Sequence, residues 1–427
     1  MECNDTEKKK FYLVSEISVS DCSQNFNKNR VEEKKHIILQ KNNSFLILKK
    51  DHKSFAIFKD QDKIHSEDET QIFVVYNTIL LNFYDTCKNY KRIEKFYEKI
   101  NNLNYALWKS IPKCPKSISI NEENEDTYLY NLKENDIIRL GKIKLILREF
   151  HIANNNKKEK NNNERPFTMK LKKFEGKICS ICDKSNTETD NPIIQFCLCE
   201  KYKHFKCQKE KIKELIFYDG NNDDYISYSY KTQCFDCKNF ILSSFIIEDN
   251  KKECKLFELF DFPRKENDDY LLFETIDYKN YQDEYFKMFF FIKLNKKEKD
   301  KNIQKILLGR KRTENNKIKL INRYKYKRFD SDIDIFIKNT VFLSHEHAII
   351  EYNKEEKTLV LRNISETLNT LVLQKQISLE PNKNILLEVG NVQINSYLIS
   401  NDDKKIEEIN TQMKNDPSIE FRDNSQK

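Results

Sequence analysis

Short runs of apolar residues, many of them alternating with polar residues, dominate the chain and predict a protein built mainly from β-strands. The runs are rich in β-branched and aromatic residues and are separated by Asn, Asp and Lys turns, as is usual for strands. A stretch at 93–107 has apolar residues at three- and four-residue steps, which predicts a helix. The predicted strands are 36–40, 44–48, 54–58, 71–76, 136–140, 143–147, 270–274, 288–294, 306–308, 333–337, 347–352, 358–362, 371–373, 385–387 and 392–394.

Changes in this pattern divide the chain into predicted segments. A polar, low-complexity run at 152–166 indicates a boundary between an N-terminal β region and a Cys-rich middle region. The short strands after residue 300 have the spacing of a β-sandwich. The predicted segments are a polar leader at 1–35, a β domain at 36–150, a polar linker at 151–170, a finger at 171–245, a linker with strands at 246–300, a β domain at 301–400 and a polar tail at 401–427.

The low glycine content excludes several classes of enzyme. The chain has 5 glycines among 427 residues, and the two closest in sequence are Gly141 and Gly176. A dinucleotide fingerprint, a phosphate loop, a kinase glycine lid or a nucleophile elbow needs two glycines within about five residues. We therefore do not expect a nucleotide-dependent enzyme or an α/β-hydrolase.

Charge and hydropathy limit the expected partners and compartment. The formal net charge of +8 is small for a chain with 34% charged residues, so nucleic acid is not an expected partner. The chain has no run of about 18 apolar residues, so no membrane contact is expected. Residues 1–10 are polar and lack the apolar core of a signal peptide. We expect a cytoplasmic protein, with the nucleus as the alternative.

Eight Cys and His residues between positions 179 and 237 carry the clearest chemical signal. They form four close pairs, a spacing that suits two tetrahedral zinc sites because paired ligands can bend around one ion. Thiolates and imidazole favour zinc over magnesium or calcium, which prefer oxygen. Either neighbouring pairs share an ion, or the first pair joins the third and the second joins the fourth. The eight residues are Cys179, Cys182, Cys197, Cys199, His204, Cys207, Cys234 and Cys237.

The order of these ligands resembles that of the RING-variant (RING-CH) finger, which binds two zinc ions in a cross-brace. The single residue between Cys197 and Cys199 favours this family. The PHD finger has the same ligand order, and the four residues between Cys199 and His204 favour that rival. The RING-CH resemblance implies one zinc on Cys179, Cys182, His204 and Cys207, and the other on Cys197, Cys199, Cys234 and Cys237.

RING-type fingers dock a ubiquitin-conjugating enzyme and hold its thioester-linked ubiquitin in a reactive pose, so their contribution is positional. The resemblance implies docking through Ile181, inside the first Cys pair, and Lys238, just after the last ligand. RING-CH fingers usually carry Leu and Trp where this chain has Gln208 and Lys211. Two interpretations stay open: a RING-type E3 ubiquitin-protein ligase and a purely structural finger.

The C-terminal strands carry motifs that resemble the forkhead-associated (FHA) domain, a β-sandwich that binds phosphothreonine peptides. The motifs are Gly309-Arg310, the run from Ser344 to His347, and residues 363–370. The resemblance implies that a guanidinium clamps the phosphate and a hydroxyl adds a further bond, while His347 braces the loops. The residues implied in phosphopeptide binding are Arg310 and Ser344, with Thr367 or Asn369 as the peptide-contacting residue.

A long basic insertion follows Arg310. Residues 311–328 carry eight Lys and Arg residues against one acidic residue, with Tyr324 and Tyr326 among them. Such a loop could extend an anionic peptide site or bind RNA. We favour the interpretation of a solvated loop on composition.

The whole arrangement resembles a protein family common in ciliates. The predicted fold is mainly β and multidomain: a degenerate FHA-like β domain with a helical insertion at the N-terminus, a cross-braced two-zinc finger in the middle, and an FHA-type β-sandwich at the C-terminus. The predicted function is a zinc-binding protein that recognises a phosphothreonine-containing partner and, as a ligase, also binds a ubiquitin-conjugating enzyme. The alternatives are a non-enzymatic, phospho-dependent adaptor with a structural finger and a PHD-like histone reader.

Overall fold

The computed structural model of the chain is mainly β, which confirms the class that the hydrophobic pattern predicts. Among the described residues there is one helix, α1 Phe205–Lys213. The structure describes residues 11–20, 31–40, 44–49, 55–59, 71–77, 80–84, 107–114, 128–153, 169–171, 173–197, 199, 201–214, 216–222, 225–231, 234, 241, 243–248, 254–276, 278–279, 285–294, 302–310, 333–337, 343–365, 368–374, 376–378, 384–389 and 392–400.

The strands are short and follow one another closely in sequence. They are β1 Phe11–Ser20, β2 Val31–Gln40, β3 Ser44–Lys49, β4 Phe55–Lys59, β5 Gln71–Asn77, β6 Leu80–Tyr84, β7 Trp108–Ile111, β8 Leu129–Asn131, β9 Ile137–Leu140, β10 Ile143–His151, β11 Met169–Leu171, β12 Ile193–Ile194, β13 Lys203–His204, β14 Ile216–Asn222, β15 Tyr225–Lys231, β16 Ser244–Glu248, β17 Cys254–Glu258, β18 Tyr270–Ile276, β19 Tyr278–Lys279, β20 Tyr285–Lys293, β21 Ile303–Arg310, β22 Ile333–Ile337, β23 Ala348–Asn353, β24 Thr358–Asn363, β25 Thr370–Leu373, β26 Gln376–Ser378, β27 Ile385–Val389 and β28 Val392–Ser400.

The chain divides into two compact units, and the first combines both ends of the sequence, residues 1–110 and 371–427. In this unit β1 pairs antiparallel with β2 and with β28, and β27 pairs with β28 and β7. A second array has the order β26-β6-β5-β3-β4. The first unit is thus made from N-terminal and C-terminal strands paired together.

The second unit, residues 111–370, holds the candidate sites. Its longest run of strands is antiparallel, in the order β14-β15-β20-β18-β10-β9. A five-stranded sheet has the order β22-β21-β23-β24-β8, and a three-stranded sheet has the order β11-β16-β17. All seven residues of β18 are buried, as expected of a strand covered on both faces.

The turn between β9 and β10 is the hairpin that the sequence predicts. Leu140 pairs with Ile143, which leaves a two-residue connection. Gly141 has φ 59°, in the left-handed region that glycine adopts without steric cost.

Several strands pair across the bounds of the predicted segments. The leader at 1–35 contains β1 and the start of β2, and in the second half of β1 the apolar Ile17 and Val19 alternate with the polar Glu16, Ser18 and Ser20, as in a strand. The linker at 246–300 supplies β18 and β20 to the long antiparallel run, so it is part of the sheet. Pairing also joins the two predicted β domains, since β8 pairs with β24 and β6 with β26. The predicted helix at 93–107 and the tail at 401–427 lie outside the described residues, apart from Leu107.

A buried ionic network joins four strands of the second unit. It consists of three acidic and three basic side chains on or next to β10, β17, β18 and β20. Its members are Arg148, Glu149, Glu258, Arg264, Glu274 and Lys287.

The geometry of this ionic network is close throughout. An Nη atom of Arg148 lies 2.7 Å from one carboxylate oxygen of Glu274, and Lys287 contacts the other oxygen. Two nitrogens of Arg264 bind the two oxygens of Glu149 at 2.8 and 2.9 Å. Burial opposes ionisation of Glu274, but Lys287 and Arg148 hold the pKa of its carboxyl below its usual value. The network therefore neutralises its own charges inside the fold.

No helix in the described part of the chain has the length and apolar character needed to cross a membrane.

Candidate metal centre and anion site

The first Cys/His cluster consists of Cys179, Cys182, His204 and Cys207, which we call cluster 1. Their ligand atoms all lie within 4.8 Å of one another. The Sγ of Cys182 is 3.2 Å from Nδ1 of His204, and the Sγ of Cys207 is 3.9 Å from the same nitrogen. These are the first and third of the four pairs, the grouping that the cross-brace implies. Three thiols and one imidazole could hold a metal ion.

The imidazole of His204 is held in an orientation that suits a metal ligand. Its Nε2 lies 2.5 Å from the backbone carbonyl oxygen of Asn186, which can only accept, so Nε2 carries the proton. The other nitrogen, Nδ1, then faces the cysteines with its lone pair available. Ligating histidines commonly have such an outer partner, which fixes tautomer and ring orientation. Asn186 has no signal in the sequence, because the contact uses a backbone atom.

The second cluster consists of Cys197, Cys199 and Cys234, which we call cluster 2. The sulfurs of Cys197 and Cys199 are 2.8 Å apart, and those of Cys199 and Cys234 are 3.8 Å apart. Its fourth predicted ligand, Cys237, lies outside the described residues. The second and fourth pairs thus meet through the three cysteines that are described.

Thiols packed this closely do not ionise easily together. Burial is the main cause that raises the pKa of Cys207, to about 12, and neighbouring thiols add to it. Burial also raises the pKa of Cys197. At Cys179 burial also acts to raise the pKa of the thiol. Hydrogen bonds from backbone N–H groups, of which that of His204 has the largest effect, outweigh burial and lower this pKa to about 6. A divalent cation among the sulfurs would favour the thiolate form of all of them.

The finger is built into the second unit rather than attached to it. Phe205, at the start of α1, makes edge-on ring contacts with Phe245 on β16 and Phe257 on β17. The segment between Cys207 and Cys234 forms the β14–β15 hairpin, and β15 pairs with β20 along its whole length. α1 and this hairpin pack against strands that lie outside the predicted finger at 171–245. A fragment of residues 171–245 alone would therefore lack strands that support it.

The predicted docking residue Ile181 and the two positions where RING-CH fingers carry Leu and Trp differ in their surroundings. Ile181 is 38% exposed and its neighbour Ile178 is 61% exposed, unusual values for large apolar side chains. Gln208, on α1, is only 2% exposed and lies on the inner face, whereas Lys211 is exposed. Lys238 lies outside the described residues.

The second candidate site is centred on Arg310, at the end of β21. Its backbone N–H donates to the carbonyl oxygens of Ser344 at 2.9 Å and of His345 at 3.2 Å. A Cβ atom at Gly309 would lie 1.9 Å from the carbonyl oxygen of His345, so only glycine allows this close approach. The Gly309-Arg310 motif therefore brings the half-buried Arg310 next to the segment that carries Ser344.

Ser344 is part of a hydroxyl pair. Its Oγ lies 2.6 Å from Oγ of Ser365, which also accepts a hydrogen bond from the backbone N–H of Leu368 at 3.1 Å. Ser365 is almost fully buried and links the 344–347 segment to the loop after β24. The sequence motif did not mark Ser365, although it lies within the predicted run 363–370.

His347 joins the 344–347 segment to the loop that carries Asn369. Its Nδ1 accepts from the backbone N–H of Ser344 at 3.2 Å, and its Nε2 lies 3.3 Å from the carbonyl oxygen of Asn369. Burial lowers its pKa to about 4, so the ring is neutral near pH 7. Asn369 thus contributes a backbone atom to the brace, while Thr367 and the basic insertion 311–328 lie outside the described residues.

A scan against protein-family models, a search of curated proteins and a search of solved structures each return no match for this chain.

Proposed function

We propose that this chain is a zinc-binding protein that recognises phosphothreonine peptides through Arg310 and Ser344. The observation that carries the proposal is the contact of Gly309 with the His345 carbonyl, which fixes Arg310 beside the Ser344 segment. A guanidinium offers paired donors to phosphate oxygens, and a hydroxyl adds a further donor. The preformed backbone lowers the ordering cost of binding.

Zinc is the metal that best suits the two clusters. Cluster 1 offers three sulfurs and one imidazole nitrogen, and cluster 2 offers at least three sulfurs. Zinc accepts these donors in tetrahedral sites without redox change, whereas magnesium and calcium require oxygen ligands. The proposal therefore assigns a structural zinc ion to each cluster.

The phosphopeptide proposal is tested with the full chain and a degenerate pool of phosphothreonine peptides beside its unphosphorylated counterpart. We expect binding of the phosphorylated pool alone. Arg310→Ala should weaken binding by about 10- to 100-fold, the range of a hydrogen bond to a charged group. Lys305→Ala removes a charge from the exposed part of the same strand and serves as the control. Equal binding of both pools would contradict the proposal.

A RING-type ubiquitin ligase is the second candidate, and the exposure of Ile178 and Ile181 favours it. Exposed apolar side chains on a small finger are a plausible contact for a partner protein. In this candidate the finger docks a charged ubiquitin-conjugating enzyme, and the Arg310 site recruits the phosphorylated substrate.

The ligase candidate is tested by ubiquitin discharge from a panel of charged conjugating enzymes. The full chain is used, because α1 and the β14–β15 hairpin rest on strands beyond the finger. We expect discharge by wild type and a loss of at least about tenfold for Ile181→Ala with metal content unchanged. Ile303→Ala, which shortens an equally exposed isoleucine outside the finger, should have no effect. Failure of the zinc-loaded chain to discharge any enzyme would favour the adaptor.

A further inference from the structure

The side chain of His345 lies against the guanidinium of Arg310. Nε2 of His345 is 3.3 Å from Nη2 of Arg310, and its Nδ1 is 3.3 Å from the carbonyl oxygen of Arg310. A guanidinium can only donate, so Nε2 accepts; the carbonyl can only accept, so Nδ1 carries the proton. In this arrangement the imidazole is neutral, and its lone pair occupies a donor that Arg310 would offer to an anion.

The backbone keeps this pair together. The N–H of Arg310 donates to the carbonyl oxygen of His345, and Gly309 lies directly against the same carbonyl group. The backbone of His345 is therefore held at the end of β21, which keeps its imidazole within reach of the Arg310 side chain. An anion that binds Nη2 of Arg310 would meet this imidazole.

We propose that His345 is a second phosphate ligand of the Arg310 site, and that capture of a phosphorylated peptide takes up one proton on Nε2 of His345. The inference rests on the proposed function. A phosphate oxygen takes over Nη2–H of Arg310, and Nε2 then binds a proton from solvent. The resulting imidazolium donates Nε2–H to the phosphate, while Nδ1–H keeps its bond to the Arg310 carbonyl.

The charges around the ring support this exchange. Arg310 on β21 contacts the imidazole of His345, and Glu346 and His347 are titratable neighbours on its own segment. β22 places apolar residues opposite the end of β21, and the loop after β24 contributes the neutral Ser365. The positive charge of Arg310 disfavours a second cation beside it. A bound phosphate dianion would instead favour a second cation beside Arg310, and imidazole is the side chain that titrates near neutral pH.

The test is calorimetric titration of the full chain with the tightest-binding peptide of the phosphothreonine pool. Titrations at pH 7 in two buffers with different ionisation enthalpies give the number of protons taken up. We expect clear uptake by wild type and a value near zero for His345→Gln. The ratio of wild-type to His345→Gln affinity should rise by about tenfold between pH 8 and pH 6. His345→Lys, which keeps a positive charge that does not titrate in this range, should bind without this pH dependence.

The outcomes separate this inference from the proposed function. Equal proton uptake by wild type and His345→Gln would overturn the role of His345 and leave phosphopeptide recognition intact. Absence of peptide binding by wild type across pH 6 to 8 would overturn both.

Discussion

The two Cys/His clusters and the ionic network are both polar and buried within the second unit, yet they satisfy their groups in opposite ways. The network contains three carboxylates and three cationic groups, so folding alone neutralises it. The clusters contain thiols and one imidazole, and burial raises the pKa of the Cys197 and Cys207 thiols, so a cation beside them would favour their ionised form. The chain itself completes the ionic network, whereas the proposed function assigns an ion to each cluster.

Removal of the metal should have the largest effect, because the clusters have no internal counter-charge. We expect about two zinc ions per chain and a loss of stability on the order of 10 kcal/mol when strong chelation removes both. Elemental analysis and thermal unfolding with and without chelator measure this. Cys179→Ser should lower metal content, whereas Cys114→Ser, at a cysteine outside both clusters, should not. If complete removal of the metal left the thermal unfolding of the chain unchanged, the clusters would not need an ion for stability, and their contrast with the ionic network would be wrong.

Breaking the ionic network should cost less than losing the metal. Arg148→Met leaves the buried Glu274 with one partner fewer and should lower the free energy of unfolding by about 3–5 kcal/mol. The double variant Arg148→Met with Glu274→Leu removes both charges and should recover much of that loss. Urea unfolding of the three proteins measures the effect. If the double variant is as unstable as the single one, the cost arises from packing rather than charge.

Two histidines differ in the same way, and the effect expected from them is smaller. His204 faces the thiols of cluster 1, whereas His347 faces backbone groups. Burial lowers the pKa of His347 to about 4 from a free value near 6.5. The unfolded chain therefore binds an extra proton between these values. The contribution of the neutral ring is complete above pH 6.5 and is lost as pH falls towards 4, by about 3 kcal/mol.

The pH effect of His347 is isolated by comparison with His347→Gln, which cannot titrate. The difference in unfolding free energy between the two proteins is measured at each pH, so that contributions of the clusters and carboxylates cancel. We expect this difference to shrink from pH 7 to pH 4. A constant difference would mean that the pKa of His347 is the same in the folded and the unfolded chain, and would contradict the burial effect.

Features that depend on local pattern could be predicted from the sequence, and features that depend on distant pairing could not. The β9–β10 hairpin follows from its flanking apolar residues and Gly141, and the cluster residues follow from ligand spacing. The pairing of β8 with β24 has no local signature, because residues far apart in sequence meet there. Ligand contacts made by backbone atoms, such as the Asn186 carbonyl, leave no trace in residue identity.

The direction in which a side chain points could also not be predicted from the sequence. The sequence shows that Gln208 stands where RING-CH fingers usually carry an apolar residue, but it does not show that this side chain lies on the inner face of α1, where it is buried. Among the described residues, Ile178, next to the first ligand, is an exposed apolar residue that the sequence analysis did not mark, in addition to Ile181.

The hairpin β14–β15 has a consequence for local opening of the fold. It forms within the loop between Cys199 and Cys234, two members of cluster 2, and its second strand pairs with β20. An ion bound by these cysteines would close that loop and remove conformations from the partly opened chain. Amide protons of β20, a strand with no metal ligand, would then exchange with solvent more slowly in the zinc-loaded protein.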